Sequence, residues 1–297
     1  MSLSAEDPVA PAMRQIPRRY VALGLIVVAI ILLSALVLIR NDTSLVGSAQ
    51  VETFNPAPGT LLSTVGQVPR SVIDAVRVTS PSDPVTPPKA TGNPSLWQAP
   101  THGVEAVPVV FFYGAEFAPY AAAERWPVIV ALSRFGTFGQ LGLMQSSATV
   151  AFPNVSSFTF WHATYSSPWL SLRTVERYSA QDLTGGGYTS LQVPDAREAA
   201  SVAAYDTSPA TFPLLDIANH YVLVGSSFAP SVLDGLTQAE IAADLSLPTS
   251  PVTQAVVAAA NQITASICSV TGQRPESVCT AHGVVAADQE MAIPPPG

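Results

Sequence analysis

The chain has 297 residues, of which 48% are hydrophobic and only 11% charged, with 27 prolines and a formal net charge of -8. That length suits one good-sized domain with appendages, or two small ones. The acidic balance excludes nucleic acid as a partner, because phosphate binding needs a surplus of Lys and Arg, and the proline content predicts that part of the chain is linker.

Tyr20 to Ile39 (YVALGLIVVAIILLSALVLI) is an uncharged apolar run between Arg19 and Arg40. About 20 helical residues at about 1.5 Å each span about 30 Å, the thickness of a hydrocarbon core. Inside lipid the backbone must satisfy its own amides, so the run is predicted to be a transmembrane helix. It is too long for the core of a cleaved signal peptide, and no small-x-small site follows it cleanly. Arg14, Arg18 and Arg19 precede it. The positive-inside rule then keeps residues 1–19 in the cytoplasm and sends the rest outside, giving a single-pass protein of the cell membrane.

Residues 40–106 carry Pro56, Pro58, Pro69, Pro81, Pro84, Pro87, Pro88, Pro94 and Pro100 and are expected to form a tether. Within it Leu61, Leu62, Val65, Val68, Val72, Ile73 and Val76 recur at mixed three- and four-residue spacing. They predict a short amphipathic helix over 60–78 that either docks on the domain or on the membrane face, or forms only marginally. A folded domain is expected over 107–285 and a disordered tail over 286–297.

In that domain Val107–Gly114 is a continuous apolar run, as a buried central strand would be. A helix is predicted from Pro119 to about Phe135, with Trp126, Ile129 and Leu132 on its apolar side and Pro127 kinking it near Ala123. Ser157–Ala163 alternates as a strand, Leu170–Tyr178 is extended, and Pro194–Tyr205 is helical. Phe212–Ile217 and Tyr221–Ser226 predict a hairpin. Thr237 with Glu240 fits a capping box opening a helix through Leu245, and Ser250-Pro251 opens another. The order of elements gives an α/β fold with a mixed sheet flanked by helices.

Residues 111–126 read FFYGAEFAPYAAAERW: a strand ends, the chain turns, and a helix starts at an x-Pro-Tyr-x tetrapeptide. This resembles the active-site turn of the thioredoxin superfamily, where the tetrapeptide is Cys-Pro-Tyr-Cys or a variant. Here Ala118 and Ala121 flank Pro119 and Tyr120 at the cysteine positions. Thr211-Phe212-Pro213 precedes the predicted strand pair, and the resemblance implies a groove proline, usually cis, at Pro213. With TFPLLDIANHYVLVGSSF and ASICSVTGQRPESVC, the chain is similar over roughly 60–285 to an actinobacterial and archaeal family of single-pass membrane proteins. Members of that family carry a thioredoxin-like domain of no settled function. The resemblance implies a thioredoxin-like fold preceded by one transmembrane helix.

Thiol-disulfide exchange needs a thiolate, activated by a helix N-terminus, and a second cysteine to resolve the mixed disulfide. Alanine supplies neither, so the fold and its groove are expected without the chemistry, which argues against an enzyme. Two origins fit the paired alanines: natural loss with the domain kept as a binding platform, or a Cys→Ala exchange in an active oxidoreductase. An accessory structural subunit of a membrane complex is a third role. The partners expected are the membrane and a protein or extended peptide outside the cytoplasm. Asp216 is either a buried acid with a raised pKa, the counterpart of the carboxylate that assists the second cysteine in active thioredoxins, or an edge-strand acid facing water.

Cys268 and Cys279 are the only cysteines. Outside the cytoplasm disulfides are permitted, and a staple across the end of the last helix contributes about 3 kcal/mol in the entropy model. The spacing suits neither a redox pair nor a zinc site. His102, His162, His220 and His282 are scattered without ligand spacing, and Gly185-Gly186-Gly187 lacks a following Lys. No metal and no cofactor are expected.

Overall fold

A computed structural model of the protein describes residues 53–76, 85–101, 104–205 and 212–292. The segments 1–19 and 20–39 lie outside the described residues. Among the described residues no helix is long and apolar enough to cross a membrane.

Two short helices come first, α1 (Gly59–Gly66) and α2 (Arg70–Ala75). The single helix expected over 60–78 is therefore divided: Gln67 closes one turn and Pro69 caps the next, because a proline has no N–H to continue the first helix but fits at the start of a second. Val65, Val72, Ile73 and Val76 are buried in the main core, so the pair is part of the folded unit.

The boundary at 107 also moves. Strands β1 (Lys89–Ala90) and β2 (Gln98–Thr101) belong to the main sheet, and Trp97 between them is buried. The described residues, from Thr53 on, belong to one compact unit. Prolines misled here because short edge strands tolerate them: Pro100 lies in β2, which pairs with a single neighbour.

Strand β3 (Val104–Gly114) is the spine. Val109, Val110, Phe111 and Phe112 are all fully buried, which follows when both faces of a strand are covered. After β3 the chain turns into α3 (Pro119–Leu132), with Pro127 inside the helical span. A long antiparallel hairpin, β4 (Thr137–Gln145) and β5 (Ser156–Ser166), packs against α3. There the Trp126 indole meets Phe158 edge to face and donates its N–H to the Ser156 carbonyl at 3.0 Å.

Strand β6 (Ser171–Glu176) returns parallel to β3, with Val109 opposite Ser171 and Gly114 opposite Glu176. A small hairpin, β7 (Tyr178–Asp182) and β8 (Tyr188–Ser190), follows. Its turn holds Gly185, Gly186 and Gly187 at positive φ, which a side chain would resist. Helix α4 (Ala196–Tyr205) precedes β9 (Leu214–Ile217), which lies antiparallel to β3 on the side away from β6. Strand β10 (Tyr221–Val224) pairs antiparallel with β9. Across the sheet the order is thus β6, β3, β9, β10, β1, with β2 on the first half of β3.

Helix α5 (Gln238–Asp244) opens on the Thr237–Glu240 capping box. Helix α6 (Pro251–Val270) is buried along most of its length and packs on α3. Short α7 (Glu276–Cys279) and α8 (His282–Met291) finish the described chain. The tail expected from 286 is helical as far as Met291, since Val284 and Ala287 dock in the core. Cys268 and Cys279 form a disulfide tying the end of α6 to α7.

Candidate functional site

The x-Pro-Tyr-x tetrapeptide sits where β3 runs into α3. Ala118 is extended and Pro119 is the first helical residue, a place that suits a residue with fixed φ and no N–H. The turn is held by backbone bonds: the Ala118 N–H reaches the Ala115 carbonyl at 3.2 Å, the Glu116 N–H the Tyr178 carbonyl at 2.8 Å, and the Ser147 N–H the Phe117 carbonyl at 3.1 Å. Ala118 and Ala121 are buried, whereas Tyr120 is 44% exposed.

Pro213 immediately precedes β9, and the Phe212–Pro213 peptide is cis. Since Leu214 pairs with Tyr113 near the end of β3, Pro213 comes to the same end of the sheet as the tetrapeptide. Aromatic side chains join the two: Phe117 meets Phe212 edge to face at 5.8 Å and stacks on Tyr188 at 4.0 Å, and Tyr113 lies 5.2 Å from Phe212. On the other flank Tyr120 meets Phe152 edge to face at 5.9 Å. The sequence-derived residues 118–121 and Pro213 are therefore assembled at one end of the sheet, within an aromatic collar.

Asp216 lies further along β9, opposite Phe111. It is buried, and burial pushes its carboxyl above the usual range, offset by the Ser201 hydroxyl at 2.6 Å and the Asn219 N–H at 2.6 Å. These contacts lead to α4 and to the β9–β10 turn, so Asp216 does not face the alanines.

A different acid lies in the tetrapeptide's own helix. Glu124 is fully buried on α3, and burial raises its carboxyl from an ordinary 4.5 to about 8. The Ser227 N–H at 2.6 Å and hydroxyl at 3.0 Å bind it and oppose the rise. One residue on, Arg125 forms a bidentate ion pair with Glu176 of β6, at 2.8 and 2.6 Å, with both side chains fully buried. Glu176 also accepts from the Phe160 N–H at 3.1 Å. Sequence reasoning missed the Arg125–Glu176 pair. The one signal was a charged dipeptide, Glu124-Arg125, inside an otherwise apolar helix, where ionisable groups need partners.

Cys268 and Cys279 lie at the far end of α6 and have no part in this site. Among the described residues no group of three or more His, Cys, Asp or Glu is placed to hold a metal ion. Of the histidines, His102 falls outside the described residues; His220 is in the β9–β10 turn and His282 opens α8.

A family model described as a domain of unknown function (DUF929) matches residues 103–189, the stretch from β3 into β8 that contains the tetrapeptide. Comparison with curated proteins and with solved structures gives no match. The chain is thus similar, over that stretch, to a family of uncharacterised function.

Proposed function

We propose that the folded unit is a thioredoxin-like domain without redox chemistry, held outside the cytoplasm by the apolar segment 20–39. Its role is to bind an extended peptide or a partner membrane protein. The observation that carries this is the meeting of the Ala118-Pro119-Tyr120-Ala121 turn and Pro213 at one end of the sheet. The order of elements in the main sheet supports it: the parallel pair β3 and β6 is joined through α3 and the β4–β5 hairpin, and after α4 the antiparallel pair β9 and β10 follows, with the proline before its first strand. A groove beside such a proline offers backbone to an extended chain, which is strand addition in miniature. Exposed Tyr120 on Phe152 supplies an aromatic flank. With alanine at both cysteine positions no thiolate can form there, so capture proceeds without exchange.

Insulin reduction by the full chain, run beside an Ala118→Cys/Ala121→Cys form, tests the reading. The parent is expected to be inert and the restored pair active. A restored pair that is open to alkylation yet inactive, with an ordinary thiol pKa, would overturn it.

A further inference from the structure

Helix α4 is attached to the domain differently from the other long helices. In α3 and α6 most residues are buried, and the two pack on one another. In α4 the buried residue is Glu198, a charged one. Val202 and Tyr205 touch the core but are only partly buried, and among the described residues no strand or helix packs along the length of α4.

Polar contacts hold it instead. Arg173 of β6 donates to Asp195 Oδ2 at 2.6 Å and to Glu198 Oε1 at 2.9 Å. The Ser201 hydroxyl donates to Asp216 Oδ2 at 2.6 Å, and the Tyr205 hydroxyl to Asn219 Oδ1 at 3.3 Å. The Arg197 guanidinium lies 5.0 Å from the centre of the Trp97 ring. Arg173, Asp195, Arg197, Ser201, Tyr205 and Asn219 all reach water, and contacts between such groups each contribute little. The helix nevertheless carries its own cap. Asp195 Oδ1 accepts the N–H groups of Arg197 and Glu198 at 2.9 and 2.8 Å, and Glu198 Oε2 accepts the Asp195 N–H at 2.8 Å, which closes the first turn reciprocally.

Beneath α4, Asp216 is fully buried. It shares its cross-strand row with Phe111 of β3, Arg173 of β6, Val222 of β10 and Lys89 of β1. The charged and titratable groups about it are thus Arg173, Lys89, Arg197 and Glu198, with His220 in the β9–β10 turn. Keeping a carboxylate from water is costly, so its burial works against closure of α4 while the Ser201 bond works for it. We propose that α4 is a detachable clasp, which lifts from the sheet as a unit while the rest of the domain stays folded, and so uncovers Asp216. Local opening draws on elements with few buried apolar contacts. Phe212 and Pro213 come seven and eight positions after Tyr205, so opening also alters what anchors the approach to the groove proline. That consequence rests on the peptide-binding reading; the opening itself does not.

Hydrogen–deuterium exchange on the purified full chain, corrected for intrinsic rates, tests the clasp. Residues 199–205 are expected to open at least about tenfold more readily than α3 and α6. Ser201→Ala is expected to raise the opening of α4 by about tenfold, the scale of one hydrogen bond to a charged group, with α3 and α6 unchanged. Alanine is the better helix former, so a helix held by propensity alone would become more protected, and that result would overturn the proposal. Asp216→Asn keeps an oxygen for the Asn219 N–H and can donate to Ser201, and at about pH 8 its α4 is expected to open less than the parent's. Burial lifts the Asp216 carboxyl above its usual range, so the closed state holds the proton more firmly. Protection of α4 is then fullest below about 3.8 and falls as pH rises through the raised value. The Asn variant should lose that trend; a trend that persists there belongs to His220 and overturns the part given to Asp216. An α4 that exchanges as slowly as α3, or only when the whole domain unfolds, would overturn the clasp.

Discussion

Two fully buried glutamates bear on the same helix, Glu124 within α3 and Glu176 bonded to it from β6, and they are accommodated in opposite ways. Glu176 of β6 meets the Arg125 guanidinium in a two-pronged ion pair and accepts a backbone N–H as well. Glu124, the residue before that arginine, accepts from the N–H and hydroxyl of Ser227, and burial lifts its carboxyl to about 8. The difference teaches how an apolar helix can carry two charged residues in succession. One side chain is matched by an opposite charge, and the other is kept neutral. The pair ties α3 to β6 and the acid ties α3 to the turn after β10, so a strand beside β3 and a turn beyond β9 are both bonded to the tetrapeptide's helix.

The comparison is broken most severely by removing the cation. Arg125→Met leaves Glu176 buried without its partner, and such orphaned charges cost about 3–5 kcal/mol. A matching loss of unfolding free energy in urea is expected. The double change Arg125→Met/Glu176→Leu should recover most of that loss, because a well-packed apolar pair replaces a buried ion pair at little cost. If the single variant is as stable as the parent, the pair is not closed in solution.

Glu124→Gln gives the next largest effect, and it depends on pH. The folded carboxyl, raised to about 8, holds its proton where the unfolded one, near 4.5, has lost it. The folded state therefore binds more protons between those values, and the parent's stability falls as pH rises through that window. The contribution is fully present below about 4.5 and is gone above about 8. Each unit is worth about 1.4 kcal/mol, so the change across the window is on the order of a few kcal/mol. Glutamine keeps the oxygen that accepts from Ser227 and does not titrate. Unfolding measured at about pH 5 and about pH 9 should show the variant near the parent at the lower value and more stable at the higher. A parent whose stability is flat across the window would show that Glu124 is not kept neutral.

The sequence disclosed some of this arrangement and concealed the rest for physical reasons. Val109 to Phe112 announced a buried central strand because a strand covered on both faces needs no polar alternation. Thr237 with Glu240, and Cys268 with Cys279, act over a few residues and are visible in their spacing. Strand β4 was not foreseen: TFGQLGLMQ has Gly139 and Gly142 where β-branched residues signal a strand, and Gly142 is small because Phe54 and Thr159 crowd it. Strand β7 (YSAQD) is too polar to stand out. The stretch 85–101 looked like tether because a proline count does not register that Trp97 is buried. At the candidate site the tetrapeptide was legible as a motif. The Arg125–Glu176 and Glu124–Ser227 contacts join residues 51 and 103 positions apart. Such neighbours are set by the fold, and no local pattern records them.

The smallest effect is also the sharpest test of why Glu124 is tolerated. Ser227→Ala removes the hydroxyl at 3.0 Å and leaves the backbone N–H at 2.6 Å. While Glu124 is protonated the lost bond is between neutral groups, with a net value of about 1 kcal/mol. Once the carboxylate forms, the same hydroxyl would donate to a charge, and such bonds are worth about 1.5–3 kcal/mol. The Ser227→Ala cost should therefore grow as pH rises past about 8, and the Glu124 carboxyl should titrate higher still, since the hydroxyl is one of the groups that lower it. In a Glu124→Gln background that pH dependence should vanish, leaving only a constant penalty. If the cost of Ser227→Ala is instead the same at every pH in both backgrounds, the serine serves packing alone, and the backbone N–H is the contact that makes a neutral glutamate acceptable beside Ala121.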